Sequence, residues 1–355
     1  GAGWAGCAVA ARLSEDPSVS VLLIEAGKRD TNPWIHIPVG YYKNIGNPKF
    51  DWCFNAEPDP GLGGRSIKFP RGKVLGGSSS INGLLYVRRQ AEDFNTWRQL
   101  GNEGWSYDDV LPYFMRAEDQ ENGDSEFHGK GGPLGVSNVR MNRPICDAFI
   151  EACIQAGIPE NNDFNGETQE GVGYYQFTTK NGQRCSAAKA YLKPARNRQN
   201  LTVETNILVT RVVLKDGRAV GVEGLREGAT LTFSAKREVI MSAGAIGSPH
   251  ILQLSGIGNG DWLKDVGIDV VHELKGVGQN LQDHLGVVSQ FTCTKPVTLH
   301  RSAVWWRTAI AGIQYLMFGT GDASYPPTAG GAFIKSSPDK ELPDMQLHYV
   351  SAAMQ

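Results

Sequence analysis

The sequence is short of three things, and each shortage excludes a class of function. No apolar run approaches the roughly 20 residues needed to cross a bilayer. The longest, Ala309 to Phe318, falls well short, so membrane association is not indicated. Neither sign of charge dominates: 35 Lys and Arg stand against 37 Asp and Glu, a net charge of -2. The basic residues are scattered rather than massed on one stripe, which leaves no surface for a polyanion and excludes nucleic-acid binding. Cysteine is sparse, and Cys7, Cys53, Cys146, Cys153, Cys185 and Cys293 form no C-x-x-C pair and no zinc-ligand spacing. They read as reduced core residues, with no metal site. No secretory or transit segment opens the chain, which starts at Gly1 inside a motif. A cytoplasmic protein is expected, its true N-terminus lying upstream.

Glycine, by contrast, is abundant. The 43 glycines in 355 residues make about 12%, against a usual ~7%. Such an excess is expected where backbone turns sharply or approaches a ligand closely. The length allows two domains or one large α/β domain.

From Gly1 a glycine-rich turn leads into a predicted helix, Trp4 to Leu13, and then a predicted strand, Val19 to Ile24, ending on Glu25. This is the second half of a βαβ unit. The loop-rich stretch Asn32 to Gly64, with Pro33, Pro38, Pro48, Pro58 and Pro60, is expected to be a lid or cofactor cover. Helices are predicted around Tyr107 to Glu118 and over Ile145 to Ala156, the second with Cys146 and Cys153 on its buried face. Asn122 to Gly132 reads as a surface loop. Leu201 to Glu204, Ile207 to Leu214, Ala219 to Glu223 and Thr230 to Phe233 predict an antiparallel meander, with a turn at Lys215-Asp216-Gly217. A buried strand, Glu238 to Met241, then runs through Ser242-Ala243-Gly244 into a helix from Ser248 to Leu254. Trp305, Trp306, Tyr315 and Phe318 are expected to pack in the core rather than line a pocket.

Gly1-Ala2-Gly3-Trp4-Ala5-Gly6 matches G-x-G-x-x-G. In a dinucleotide site the first glycine makes a tight turn, the second admits the pyrophosphate and the third allows close packing of helix on strand. The helix N-terminus adds free N–H groups and a positive dipole end. Glu25, nineteen residues beyond Gly6, is placed to accept hydrogen bonds from ribose hydroxyls. This motif alone does not separate FAD from NAD. Arg71-Gly72-Lys73-Val74-Leu75-Gly76-Gly77-Ser78-Ser79-Ser80-Ile81-Asn82 does more. A flexible linker would not embed Val74, Leu75 and Ile81. The paired glycines permit close approach, the serines are candidate donors to phosphate or ribityl oxygens, and Asn82 is a candidate contact to the flavin edge.

Gly72 to Asn95 resembles the first signature of the glucose-methanol-choline (GMC) oxidoreductases, and Gly244 to Gly258 is similar at every constrained position to the second. Arg89 departs from the pattern, which has a small residue or proline there. The resemblance implies a Rossmann-like α/β FAD-binding domain, residues 1–144 and 190–286, and an α+β substrate domain with an antiparallel sheet, residues 145–189 and 287–355. It implies FAD contacts from Gly1, Gly3, Gly6, Glu25, Val74, Gly76, Gly77, Ser78, Asn82, Leu85, Val209 and Ala243. A segment closing over the flavin, Gly276 to His284, is expected to start a helix and to add Asn280, Asp283 and His284. Relatives that tether FAD covalently carry a histidine where this chain has Ile81, so non-covalent FAD is implied. The implied reaction oxidises the CH–OH group of a small primary alcohol, aliphatic or choline-like, by hydride transfer to flavin N5, with oxygen or a quinone-like electron acceptor; the alternatives are a hydroxynitrile lyase of the same family or a truncated, non-catalytic flavin-binding module. The family's catalytic histidine and its partner lie in a late segment, expected beyond Gln355. None of His36, His128, His250, His272, His284, His300 and His348 matches that pair, so the chain alone is expected to be inactive.

Overall fold

A computed structural model describes residues 1–299, 304–326 and 328–352; His300 and Gln355 lie outside them. The elements used below, in chain order, are α1 (Trp4–Leu13), β1 (Val21–Ile24), α2 (Tyr107–Ala117), α3 (Pro144–Gln155), β2 (Gly171–Tyr174), β3 (Leu201–Glu204), β4 (Leu208–Lys215), β5 (Arg218–Arg226), β6 (Ala229–Ser234), α4 (Gly244–Leu254), α5 (Trp305–Phe318), β7 (Thr328–Ile334) and β8 (Met345–Val350). The chain divides into two compact units. Unit 1 comprises Gly1–Thr31, Asn44–Ile81 and Ala187–Val288; unit 2 comprises Asn32–Lys43, Asn82–Ser186 and Ser289–Gln355. Residues 82–144, grouped by the sequence with the cofactor-binding segments, belong to unit 2.

In unit 1, α1 is built from small, strongly helix-forming residues, and its inner face is Gly6, Cys7, Ala10 and Ala11. Those short side chains let the helix lie close over its neighbours. Ala2, Leu23, Leu75, Leu192 and Leu201 complete the same core cluster. β3 pairs in parallel with β1, Val21 opposite Leu201 through Ile24 opposite Glu204. The expectation that Leu201 to Glu204 opens the meander is therefore corrected: its ladder partner is a strand 180 positions earlier in register, which no local pattern announces. The meander itself is β4-β5-β6, all antiparallel. Its first turn has Asp216 and Gly217 at φ 51° and 74°, the paired left-handed conformation that matches strand twist.

One further expectation fails in this unit and another is extended. Glu238 to Met241 forms no strand, and Ile240 is 45% exposed; no described segment supplies it with a ladder partner, and an unpaired strand is not stable. The helix expected from Ser248 starts at Gly244, one turn earlier, and the Ser248 hydroxyl accepts the Ala243 N–H at 3.0 Å.

In unit 2 the sheet order is β8-β7-β2, antiparallel throughout, over a core of Leu84, Phe164, Tyr175, Phe177 and Phe333. The N-terminus of α2 carries a capping box between Ser106 and Asp109. On α3, Cys146 is buried as expected while Cys153 is only half-buried. The region around Asn122 to Gly132 is not simply surface, since His128 and Gly129 are buried. The aromatic expectation for α5 is largely overturned. Tyr315 is buried and donates its hydroxyl to the Gly182 carbonyl at 3.1 Å, but Trp305 is 81% exposed and Trp306 and Phe318 are exposed too. Apolar residues encircle this helix, and a helix resting on one side can bury only one stripe of them.

Candidate cofactor site

In unit 1, residues 1–6, 25–28 and 71–80 interlock almost entirely through backbone. A Cβ added to Gly6 would stand 1.9 Å from the Gly1 carbonyl oxygen, and one on Gly1 would stand 2.7 Å from the Ser242 carbonyl oxygen. Packing thus dictates the first and third glycines of the motif. Gly3 is different: a Cβ there meets nothing within 4 Å. The space it faces lies over the start of α1, where the first four N–H groups have no acceptor within the helix. Gly76 and Gly77 take left-handed φ values of 90° and 54°. The Gly76 N–H donates to the Ala2 carbonyl at 2.8 Å, and a Cβ on Gly77 would lie 2.7 Å from the Cα of Gly3.

Glu25, 5% exposed, ties two of these segments together. One carboxylate oxygen accepts the Ala2 N–H at 2.7 Å and the other the Gly27 N–H at 2.9 Å. Gly27 in turn has no room for a side chain, since its Cβ would fall 2.0 Å from the Lys73 carbonyl carbon. A carboxylate has about four acceptor positions, so two remain for hydroxyl donors. The sequence expectation covered only those; the structural half of the role of Glu25 comes from the fold.

The three serines divide. Ser79 donates to the Gly76 carbonyl at 2.5 Å and accepts the Ala187 N–H, and Ser80 donates to the Leu75 carbonyl at 2.7 Å. Both are buried and hold the loop's own shape. Ser78 is half-buried and accepts the Gly72 N–H at 3.1 Å, which leaves its hydroxyl proton to donate. Val74 is fully buried. Ser242 donates to the Gly1 carbonyl at 2.8 Å, and Ala243 lies beside it against Gly1. Asn206 and Ile207 donate their N–H groups to the carbonyls of Gly27 and Glu25, both at 3.0 Å. Val209, half-buried, follows two residues later, where the register of β4 shifts.

The segment Gly276 to His284 is not helical. Gly278 and Asn280 have φ of 79° and 56°, and that left-handed backbone is incompatible with helix continuation. Asn280, Asp283 and His284 are exposed. Asp283 comes within 3.7 Å of Arg71, and its carboxylate caps the His284 N–H at 2.8 Å.

In unit 2, Leu85 sits in the short strand Leu85–Tyr86 opposite Phe177. Asn82 accepts from the guanidinium of Arg184 through both its side-chain and its backbone oxygen. Sequence reading passed over Arg184, as it did a second buried polar group. Arg88 pairs with Glu118 at 2.7 Å, and His128 lies between Glu118, at 3.1 Å from Nδ1, and Asp163, at 2.8 Å from Nε2. Burial works against a proton on His128, but the hydrogen bonds and charges of Asp163 and Glu118 outweigh it and raise its pKa to about 9. No local spacing marks these four residues. Among the described residues no group of His, Cys, Asp and Glu is arranged to hold a metal ion, and no helix is long and apolar enough to cross a membrane.

Known proteins are similar to this chain in sequence and in fold. Mitochondrial choline dehydrogenase of Homo sapiens is 46% identical over 99% of this chain and 60% of its own length. Oxygen-dependent choline dehydrogenase of Brucella ovis is 47% identical over the whole of this chain and 64% of its own. The chain therefore spans about three-fifths of the curated relatives it matches. Among solved structures, pyridoxine 4-oxidase from Mesorbium loti superposes with a TM-score of 0.87 at 32% identity, covering 99% of this chain and 65% of that one. An Aspergillus oryzae formate oxidase, studied for FAD modification, gives 0.86 at 26% identity over 99% and 67%. The GMC oxidoreductase family model matches residues 1–286, the span that holds the interlocked turns, Glu25 and the first turn of α4, and the chain belongs to that family.

Proposed function

We propose that this chain is the FAD-holding part of an oxidoreductase acting on the CH–OH group of a primary alcohol, aliphatic or choline-like. The observation that carries this reading is the interlock of α1, Glu25 and the Gly76-Gly77 turn, with open space over Gly3. There the helix N-terminus offers N–H groups and its positive end to a pyrophosphate. Glu25 keeps acceptor positions for ribose hydroxyls and repels a 2′-phosphate. Ser78 adds one hydroxyl donor. FAD held by these residues supplies a hydride acceptor at flavin N5. Ile81, where a tethering histidine would stand, supports non-covalent binding. The relatives named choline dehydrogenase support the choline-like branch.

Alcohol oxidation also needs a base for the hydroxyl proton. His128 is unsuited, because its two carboxylate partners keep it protonated at neutral pH. None of the histidines of this chain matches the family's catalytic pair, so the reading assigns the base to none of them. The exposed stretch Gly276 to His284 closes over the flavin, oxygen or a quinone-like acceptor reoxidises it, and the protein is cytoplasmic; these complete the proposal. The test uses the full-length protein. Anaerobic addition of choline, or of an aliphatic primary alcohol, should bleach the flavin absorbance, and acid precipitation should release FAD into the supernatant. Bound flavin that no alcohol bleaches would sink the substrate class, and purified protein with no flavin would sink the site.

A further inference from the structure

Arg184, in the short strand Gln183–Arg184, is the largest fully buried side chain among the described residues, at 0% exposure. Burying a guanidinium is costly unless its donors are matched, and burial draws its pKa down to about 9. Two of its donors converge on one residue. Nη1 donates to Asn82 Oδ1 at 2.7 Å, Nη2 donates to the Asn82 carbonyl at 2.8 Å, and Nε anchors the fork on the Ile35 carbonyl at 2.8 Å. Asn82 Oδ1 also accepts the Leu84 N–H at 3.2 Å. A flipped amide would set Nδ2 against these two donors, so the orientation of Asn82 is determined. Its oxygen is taken and its NH2 group is left to donate.

We infer that Arg184 is a positioning residue: by gripping both oxygens of Asn82 it makes that residue present an amide donor, and not an acceptor, to the flavin. The inference rests on the reading of Asn82 as a flavin contact. A fixed donor stabilises the negative charge that builds on a flavin as it is reduced, and an acceptor opposes it. Arg184 therefore favours reduction without touching substrate or cofactor. Lysine cannot replace it, because two parallel bonds from a rigid fork are required.

The experiment measures the flavin midpoint potential and visible spectrum in full-length, FAD-loaded protein. Asn82→Ala should make the potential more negative and perturb the spectrum. Arg184→Gln should shift the potential in the same direction, Arg184→Lys should shift it less, and neither should add a shift in the Asn82→Ala background. If Asn82→Ala changes neither potential nor spectrum, the reading of Asn82 as a flavin contact fails. If Asn82→Ala shifts them but the Arg184 variants do not, or the Arg184→Gln shift persists without Asn82, the positioning role of Arg184 fails. Should the Arg184 variants not fold, Asn82→Asp keeps Arg184 paired while removing the donor, and an unchanged potential would overturn the inference. A crystal structure of the unaltered holoenzyme with Oδ1 instead of Nδ2 toward the flavin would overturn it as well.

Discussion

The interlocked turns of unit 1 and the Arg88–Glu118–His128–Asp163 group of unit 2 hold the chain rigid by opposite means. The turns use backbone: Gly1, Gly6, Gly27 and Gly77 sit where any side chain would collide with a neighbouring main chain. The second group uses side chains, four charged groups closed on one another, with Glu118 and Arg88 almost wholly out of water. Contact between main chains leaves N–H groups facing outward and has no proton to lose, so it suits a ligand site that must work across pH. The charge network satisfies its polar groups internally and offers a ligand little, and it depends on the protonation of one histidine.

That contrast can be broken most sharply by Arg88→Ala. Removing Arg88 leaves the buried Glu118 with His128 as its remaining cationic partner, and denaturant unfolding should record a loss of about 3–4 kcal/mol, toward the low end for a broken buried pair. Next is Gly77→Ala. An alanine there must hold a left-handed backbone and displace Gly3, which should cost about 3 kcal/mol and release FAD on gel filtration. Gly64→Ala is the matched control. Its φ of 73° is similarly left-handed but nothing lies within 4 Å, so only about 1 kcal/mol of strain is expected.

The pH dependence separates the two regions further. The pKa of His128 is raised in the folded chain to about 9 from an ordinary 6.5. Its contribution is complete below 6.5, where folded and unfolded chains are both protonated. As pH rises beyond 6.5 the unfolded chain releases the proton first, and the contribution is gone once pH has passed about 9. Thermal or denaturant unfolding should show roughly 2–3 kcal/mol lost over that range, absent in His128→Gln. A loss of the same size in His128→Gln would mean that another group titrates. A modest effect, on binding rather than on folding, is expected from Glu25→Gln, which keeps the shape and weakens charge-assisted bonds to Ala2 and Gly27. A fluorescence titration should show FAD binding weakened by about 1–2 kcal/mol, roughly tenfold in Kd.

The elements that carry the backbone interlock are legible in the sequence, because their causes are local, whereas the contacts between them are not. The helix over Trp4 to Leu13 occurs at the expected bounds, and the strand ending beside Glu25 is only shortened at its start. The turn chemistry of Asp216-Gly217 also reads directly. The failures share a cause. Glu238 to Met241 has the composition of a strand and, among the described residues, no neighbour to pair with; α5 has the composition of a buried helix and a mostly exposed surface. Gly276 to His284 reads as the start of a helix, yet two positions in it take left-handed φ. Composition reports what a segment tends to do, while its partners decide whether it does so.

By itself the sequence determined that glycines stand at 1, 3 and 6 with the spacing of a dinucleotide turn and as a pair at 76 and 77, that an acid follows the first strand, and that the chain has the pattern of a GMC oxidoreductase. Glycine spacing and strand periodicity are properties of neighbouring residues, and steric exclusion at the backbone leaves few alternatives. Only the tertiary structure decided that Glu25 also braces Ala2 and Gly27, that Ser79 and Ser80 serve the loop while Ser78 keeps a free proton, and that Arg184 holds Asn82 from 102 positions away. A hydrogen bond between distant side chains depends on where the folded backbone brings them, and no period in the sequence encodes that distance.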